Sequence, residues 1–277
     1  MRRPRDREAL AKLIVAHPVE GTTAEERAAF AARLASRAPD TARWIHPGGV
    51  RTLVLGEGEP FVMWLHGGGY LLGSPDTHAF AAGWLADLTG LAVAVPAYAL
   101  APENPWPAQL RDALSVVDAL RPLAVVGDSS GGHLALHVAL RRPGKLNSLV
   151  LFSPNTDRTG RSDTREANTP TDLMNSDEGD QLMFRRSMRG VSEGSIAASP
   201  VLADLTALPP TYLAAGGAEV LLGDSRLLAD RMQQCGVPHT YRVFPEEWHM
   251  FHNWPDALSA GAEAMSDAAG HIAFHAF

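Results

Sequence analysis

The chain has 277 residues, 45% hydrophobic and 20% charged, with a net charge of −7 and an isoelectric point near 5.9. That acidity argues against nucleic acid or an anionic membrane surface as the main partner, and no eighteen-residue apolar run offers a membrane span. A single cysteine, Cys235, excludes an intramolecular disulfide, fits a reducing compartment, and reads as a small buried side chain near a helix end rather than a reactive thiol.

The first eight residues are basic, but no apolar core and small-residue cleavage site follow them, so a cytoplasmic protein is expected. Residues 1–45 read as helical. Thr22 and Thr23, each with Glu three residues on, offer overlapping capping boxes, and Phe30 and Leu34 share one face of the helix that follows, which Pro39 is expected to end. Two short β-rich runs, 50–55 and 61–65, flank Gly56-Glu57-Gly58-Glu59-Pro60 and read as a hairpin or close strand pair.

Beyond them, helical patterns (78–89, 108–120, from His133, 224–235 and 254–273) alternate with apolar runs (91–95, 123–126, 148–152, 211–217 and 240–244). Buried runs of this length alternating with helices imply an α/β chain with a mostly parallel sheet covered on both faces. Residues 155–199 differ: they are polar, with Met174, Met183, Phe184 and Met188 scattered through them and one amphipathic helix expected over 177–189. We expect one domain over 1–277, with cap elements from about 1–45 and 155–199.

The chemistry centres on Gly127-Asp128-Ser129-Ser130-Gly131, Gly-x-Ser-x-Gly between an apolar strand and a helix. In that context the sharp turn lifts the Ser129 hydroxyl above the sheet, and glycines are needed because the turn has no room for side chains. Upstream, His66-Gly67-Gly68-Gly69 follows a strand where backbone N–H groups can point at a developing oxyanion, with His66 more suited to holding the loop than to acting as a base. A base should lie in a loop after the last strand; His249 does, with His252 as fallback. The acid should follow the preceding strand, where both Glu219 and Asp224 stand; the other reading of Asp224 is a helix N-terminal charge.

Together with Leu100-Ala101-Pro102-Glu103, these stretches resemble the hormone-sensitive lipase-like branch of the α/β-hydrolases, the bacterial family IV esterases. The resemblance implies an α/β-hydrolase fold with a helical cap and hydrolysis of small to medium carboxylic esters or lactones through an acyl-enzyme. It aligns Ser129, Glu219 and His249 with the family's triad, and the N–H groups of Gly68, Gly69 and Ser130 with its oxyanion hole. Glu219 stands where the family usually has Asp. No cofactor or metal is expected; the partner is a small-molecule ester, and the oligomeric state, a homodimer included, is left open. A lactonase or acyltransferase would use the same residues, whereas a non-catalytic receptor on this fold would be expected to lack the histidine at 249.

Two departures stand out. The family's Asp-Tyr-Arg reads Ala97-Tyr98-Ala99 here, removing two charges together, and its Ser-Pro-Trp reads Ser153-Pro154-Asn155, placing a polar residue where an aromatic is usual.

Overall fold

The computed structural model describes residues 3–276. Its frame is an eight-stranded sheet: β1 (Arg43–Ile45), β2 (Thr52–Leu55), β3 (Pro60–Leu65), β4 (Ala92–Pro96), β5 (Ala124–Asp128), β6 (Ser148–Phe152), β7 (Thr211–Gly216) and β8 (His239–Phe244). The spatial order is β1-β2-β4-β3-β5-β6-β7-β8, with β1 and β2 antiparallel to their neighbours and every pairing from β4 to β8 parallel.

Side-chain alternation along the strands divides the core in two. Trp64, Val126, Val150 and Tyr212 face one way, onto helices α3 (Pro75–Thr89) and α8 (Ser259–Ala276). Met63, Val125, Leu149 and Leu213 face the other, onto α4 (Ala108–Leu120), α5 (Ser130–Arg141) and α7 (Leu222–Gln234). Strands β4 to β7 are buried along their length because they are covered on both faces, whereas the edge strands β1 and β8 carry Arg43, Thr240 and Arg242 and are partly exposed.

The expected hairpin between residues 50–55 and 61–65 does not form, because β4 lies between β2 and β3. The intervening turn carries the chain across the start of β4 instead. Gly56, at φ +82°, passes so close that a Cβ there would lie 3.3 Å from Ala92 Cα. Helix starts also move. The third helix opens three residues earlier than its apolar pattern, because Ser74 and Thr77 form a reciprocal cap with Pro75 in the first turn. The last helix starts at Ser259 rather than 254, after a separate 3₁₀ turn over Phe251–Asn253.

Before the sheet come α1 (Arg7–Val15) and α2 (Thr23–Leu34), followed at residues 43–45 by β1, which interrupts the stretch expected to be helical. Thr22 and Glu25 make the capping box; Glu26 pairs instead with Arg186, 2.7 Å away. α2 stops at Leu34, with Ala35 left-handed at φ +45°, five residues before the proline expected to end it. Arg186 belongs to α6 (Asp177–Ser187), so the N-terminal helices and the 155–199 segment meet directly. Arg27 ties α2 to the body through the carbonyls of Leu71 and Ala101, both at 2.9 Å. Cys235 is half-buried at the end of α7 and unpaired. No helix among the described residues is long and apolar enough to cross a membrane.

Candidate active site

Ser129 sits between β5 and α5 at φ +54°, a strained backbone for a non-glycine residue, and its amide is held by the Phe152 carbonyl at 3.0 Å. The flanking glycines have steric causes. A Cβ on Gly131 would lie 2.0 Å from the Leu65 carbonyl oxygen, and one on Gly127 would lie 2.3 Å from that of Gly131. The turn thus presses β5, β3 and α5 together and leaves the Ser129 side chain facing a cleft.

His249, in the loop after β8, brings Nε2 to 2.9 Å from Ser129 Oγ. On its other side, Nδ1 lies 3.8 Å from Glu219 Oε2, beyond hydrogen-bond range. Both carry an unmet polar atom: His249 Nδ1 and Glu219 Oε1 are buried without a partner among the described residues. Glu219 follows β7, is wholly buried, and accepts bonds at Oε2 from Ser153 Oγ (2.6 Å) and the Gly216 amide (3.0 Å). Burial opposes charge on the His249 imidazole, but the carboxylates of Glu219, Asp172 and Asp180 together outweigh it, so its pKa lies above the ordinary histidine value.

The His66-Gly67-Gly68-Gly69 loop approaches the same point. Gly68 and Gly69 have φ of +120° and +62°, and their N–H groups make no bond to the described residues. A Cβ on Gly69 would lie 2.5 Å from Met183 Sδ, and one on Gly68 would lie 2.5 Å from the Leu72 carbonyl oxygen. Ser130 opens α5, where helix geometry leaves the first-turn N–H groups without intrahelical acceptors. His66 stacks on Tyr98 at 4.2 Å between ring centroids, and its Nδ1 lies 3.0 Å from the Gly67 carbonyl. Burial, with His78 nearby, pushes its pKa down to about 3, so it stays neutral and holds the loop.

The other candidates lie elsewhere. Asp224 is buried in the first turn of α7, where Oδ2 accepts the amides of Thr156 and Asp157, each at 2.9 Å, and Arg165 Nη2 at 2.8 Å. It anchors the 155–199 segment and does not contact His249. His252 stacks on Phe152 at 4.2 Å and stands 4.0 Å from Asp128 Oδ2; burial lowers its pKa to about 3. It is a core histidine rather than a second base.

Three features were not singled out from sequence. Asp128, beside Ser129, is fully buried and accepts Trp64 Nε1 at 2.9 Å, with His78 Nε2 3.1 Å away. Burial alone would raise its pKa, but His78 and its hydrogen bonds hold it well below the usual range. Asp172, from the 155–199 segment, accepts the amides of His249 (3.2 Å) and Val220 (3.0 Å), fixing the loops that carry His249 and Glu219. Burial raises its pKa to about 6. Finally, Asp180 of α6 accepts Asn155 Nδ2 at 2.8 Å and pairs with both Arg158 and Arg165. Each of these contacts joins residues far apart in sequence; the only local hint was Asn155 in place of an aromatic. Of the two alanine departures, Ala97 is exposed, while the Ala99 amide donates to Asp112 Oδ2 at 2.8 Å.

Two cavities meet at the ridge formed by Gly69 and Met183. One, of about 440 Å³, is lined by Ser129, His249 and the apolar side chains of Val19, Phe30 and Met174. The other, of about 300 Å³, is lined by Ser130, Tyr70, His133, Asn155 and Arg158. Among the described residues, no group of three or more His, Cys, Asp or Glu side chains is arranged to hold a metal ion.

Comparison with known proteins agrees with this architecture. A family model described as the alpha/beta hydrolase fold matches residues 62–253. An acetyl-hydrolase of Streptomyces hygroscopicus is 31% identical over 245 residues, covering 84% of this chain and 79% of that protein. An esterase of Acinetobacter venetianus is 33% identical over 215 residues, covering 72% and 71%. The crystal structure of an esterase from the bacterial hormone-sensitive lipase family superposes with a TM-score of 0.91 at 26% identity over 100% of both chains. Fold and relatives together make this chain an enzyme of the serine-hydrolase class. It belongs to the α/β-hydrolase family, in the bacterial hormone-sensitive lipase-like branch that its motifs resemble.

Proposed function

We propose that the protein hydrolyses carboxylic esters of small to medium size, with Ser129 as nucleophile, His249 as general base and then acid, and Glu219 as the carboxylate that orients it. The observation that carries this reading is the 2.9 Å contact between Ser129 Oγ and His249 Nε2 at a strand-to-helix elbow. His249 takes the Ser129 proton as Oγ bonds to the ester carbonyl carbon. The carbonyl electron pair moves to oxygen, where the N–H groups of Gly68, Gly69 and Ser130 donate hydrogen bonds; one such donor is worth about 3–4 kcal/mol. As the tetrahedral species collapses, His249 Nε2 gives the proton to the departing alcohol oxygen. Water then attacks the acyl-enzyme along the same route, releasing the acid and returning the proton to Ser129.

The unmet Nδ1 and Oε1 atoms support Glu219 as the third member. A buried donor and a buried carboxylate 3.8 Å apart gain a charge-assisted bond when the imidazolium forms, and resting-state geometry is commonly looser than the reacting one. We read residues 1–45 and 155–199 as a two-piece cap on a single domain, supported by the Arg186–Glu26 pair and by the Asp172 bonds to the His249 and Val220 amides. Fluorophosphonate labelling, with turnover of p-nitrophenyl acetate by wild type and Ser129→Ala, tests the proposal. Label on Ser129 and turnover abolished by the substitution are expected; an unlabelled Ser129 would overturn it.

A further inference from the structure

The two cavities differ in a way that assigns the two arms of an ester, given the reading of Ser129 and His249 above. The leaving oxygen must receive its proton from His249 Nε2, so the alcohol arm lies in the cavity that His249 lines. The acyl arm then lies across the Gly69–Met183 ridge, in the cavity lined by Ser130. Tyr70, His133, Phe184 and Met188 close in on that space, which limits the arm to a short chain.

Its wall is largely apolar, with Phe184, Met183 and Met188, and carries one polar corner that is partly unmet. Arg158, with a side chain 6% exposed, uses Nη1 on Asp180, while its Nε and Nη2 make no hydrogen bond to the described residues. The guanidinium carbon stands 4.8 Å from the centre of the Phe184 ring, which fixes the plane of the fork. Ser130 Oγ, in the same lining, is buried without a partner. The Tyr70 hydroxyl is already engaged with His133 Nδ1 at 2.6 Å, and burial keeps His133 neutral by lowering its pKa well below the ordinary value. Asp180 and Asp224 balance the charges of Arg158 and Arg165, so the wall offers unmet donors without an excess of positive charge.

We propose that this cavity selects a short acyl group carrying a neutral hydrogen-bond-accepting oxygen, with Arg158 as the residue that recognises it. An apolar chain would leave the guanidinium N–H groups desolvated and unpaired, and a carboxylate would add an unbalanced buried charge.

The test uses p-nitrophenyl esters with one leaving group and matched acyl arms. The oxo pair is 4-oxopentanoyl and 5-oxohexanoyl; their apolar isosteres are 4-methylpentanoyl and 5-methylhexanoyl; succinyl and glutaryl supply the anion, and acetyl reports the basal reaction. At one chain length or both, kcat/KM for the oxo ester should exceed that of its isostere by about 10- to 100-fold, as expected for a bond to a charged donor. The ratio should collapse toward one in Arg158→Met. Because each ratio is taken within one preparation, loss of active protein cancels; Arg158→Lys, which keeps a charge opposite Asp180 but removes the planar fork, should lower it as well. An oxo-to-isostere ratio near one at both lengths, with acetate turned over normally, would overturn the inference. So would a ratio that survives both substitutions. Succinyl or glutaryl turnover above the oxo esters would overturn the neutral assignment. No turnover of any ester, with no label on Ser129, would overturn the reading of Ser129 and this inference with it.

Discussion

In the site proposed above, the sheet-borne half and the half carried by the 155–199 segment are built on different physics. Ser129, Glu219 and His249 follow the ends of β5, β7 and β8, where backbone geometry fixes them: positive φ at Ser129, a hydrogen bond from the Gly216 N–H to Glu219, glycine contacts too close for any Cβ. Asp172, Arg158, Arg165 and Asp180 come from the segment between β6 and β7 and are held by buried charge pairs and side-chain bonds to distant amides. Buried pairs of this kind contribute little net stability, yet breaking one strands its partner. On the proposed reading, the first half holds the reaction geometry unchanged while the second sets what enters and keeps the two aligned.

The sharpest contrast comes from the sheet side. Ser129→Ala should lower kcat by roughly 10⁵- to 10⁶-fold with little change in melting temperature, since the side chain supports chemistry and little packing. Turnover of p-nitrophenyl acetate alongside thermal unfolding measures both; a fall in stability comparable to that of a core substitution would dissolve the distinction. Next, Glu219→Gln should cost about 10³- to 10⁴-fold in kcat. It should also move the pH profile. As the proposed base, His249 works only when neutral, and its pKa is raised, so wild-type kcat/KM should fall on acidification through a midpoint above 6.5. Removing the carboxylate removes the largest contribution that raises it, leaving those of Asp172 and Asp180, so the midpoint should shift to lower pH; an unmoved midpoint would count against Glu219.

On the cap side the currency is stability. Asp180→Ala leaves Arg158 and Arg165 facing each other, and stranding buried charge typically costs about 3–5 kcal/mol. Calorimetry should show a melting temperature lower by roughly 6–15 °C. A loss below about 1 kcal/mol would mean that Asp224 alone satisfies the pair.

This division also governs what could be read from sequence. The Ser129 and His249 positions were legible because elbow and loop are local patterns beside strands. Glu219 and Asp224 could not be separated by position, since both follow β7 within a few residues. What separates them is the Thr156 and Asp157 amides on Asp224, 68 and 67 residues away. Asp172 was invisible for the same reason: its partners, Val220 and His249, are 48 and 77 residues distant. Strand positions were legible but their neighbours were not, because a glycine turn of five residues fits a hairpin as well as a crossing over β4.

The smallest effect tests whether the cap's two pieces act as one. Thr22 accepts the Glu25 amide at the start of α2, and Glu25 returns a bond to the Thr22 amide at 2.8 Å. Thr22→Ala should therefore cost about 1 kcal/mol. Thr22 touches neither Ser129 nor the acyl cavity, so a purely local loss would leave kcat and KM where they were. But α2 carries Phe30, which lines the His249-side cleft, and Glu26, which holds Arg186 of α6. If the pieces move together, fraying the first turn should raise KM about two- to fivefold at unchanged kcat, the share of a 1 kcal/mol loss that reaches the cleft. A KM that stays fixed while unfolding shifts by the full amount would show α2 to be an independent flap, with α6 alone responsible for the shape of the site.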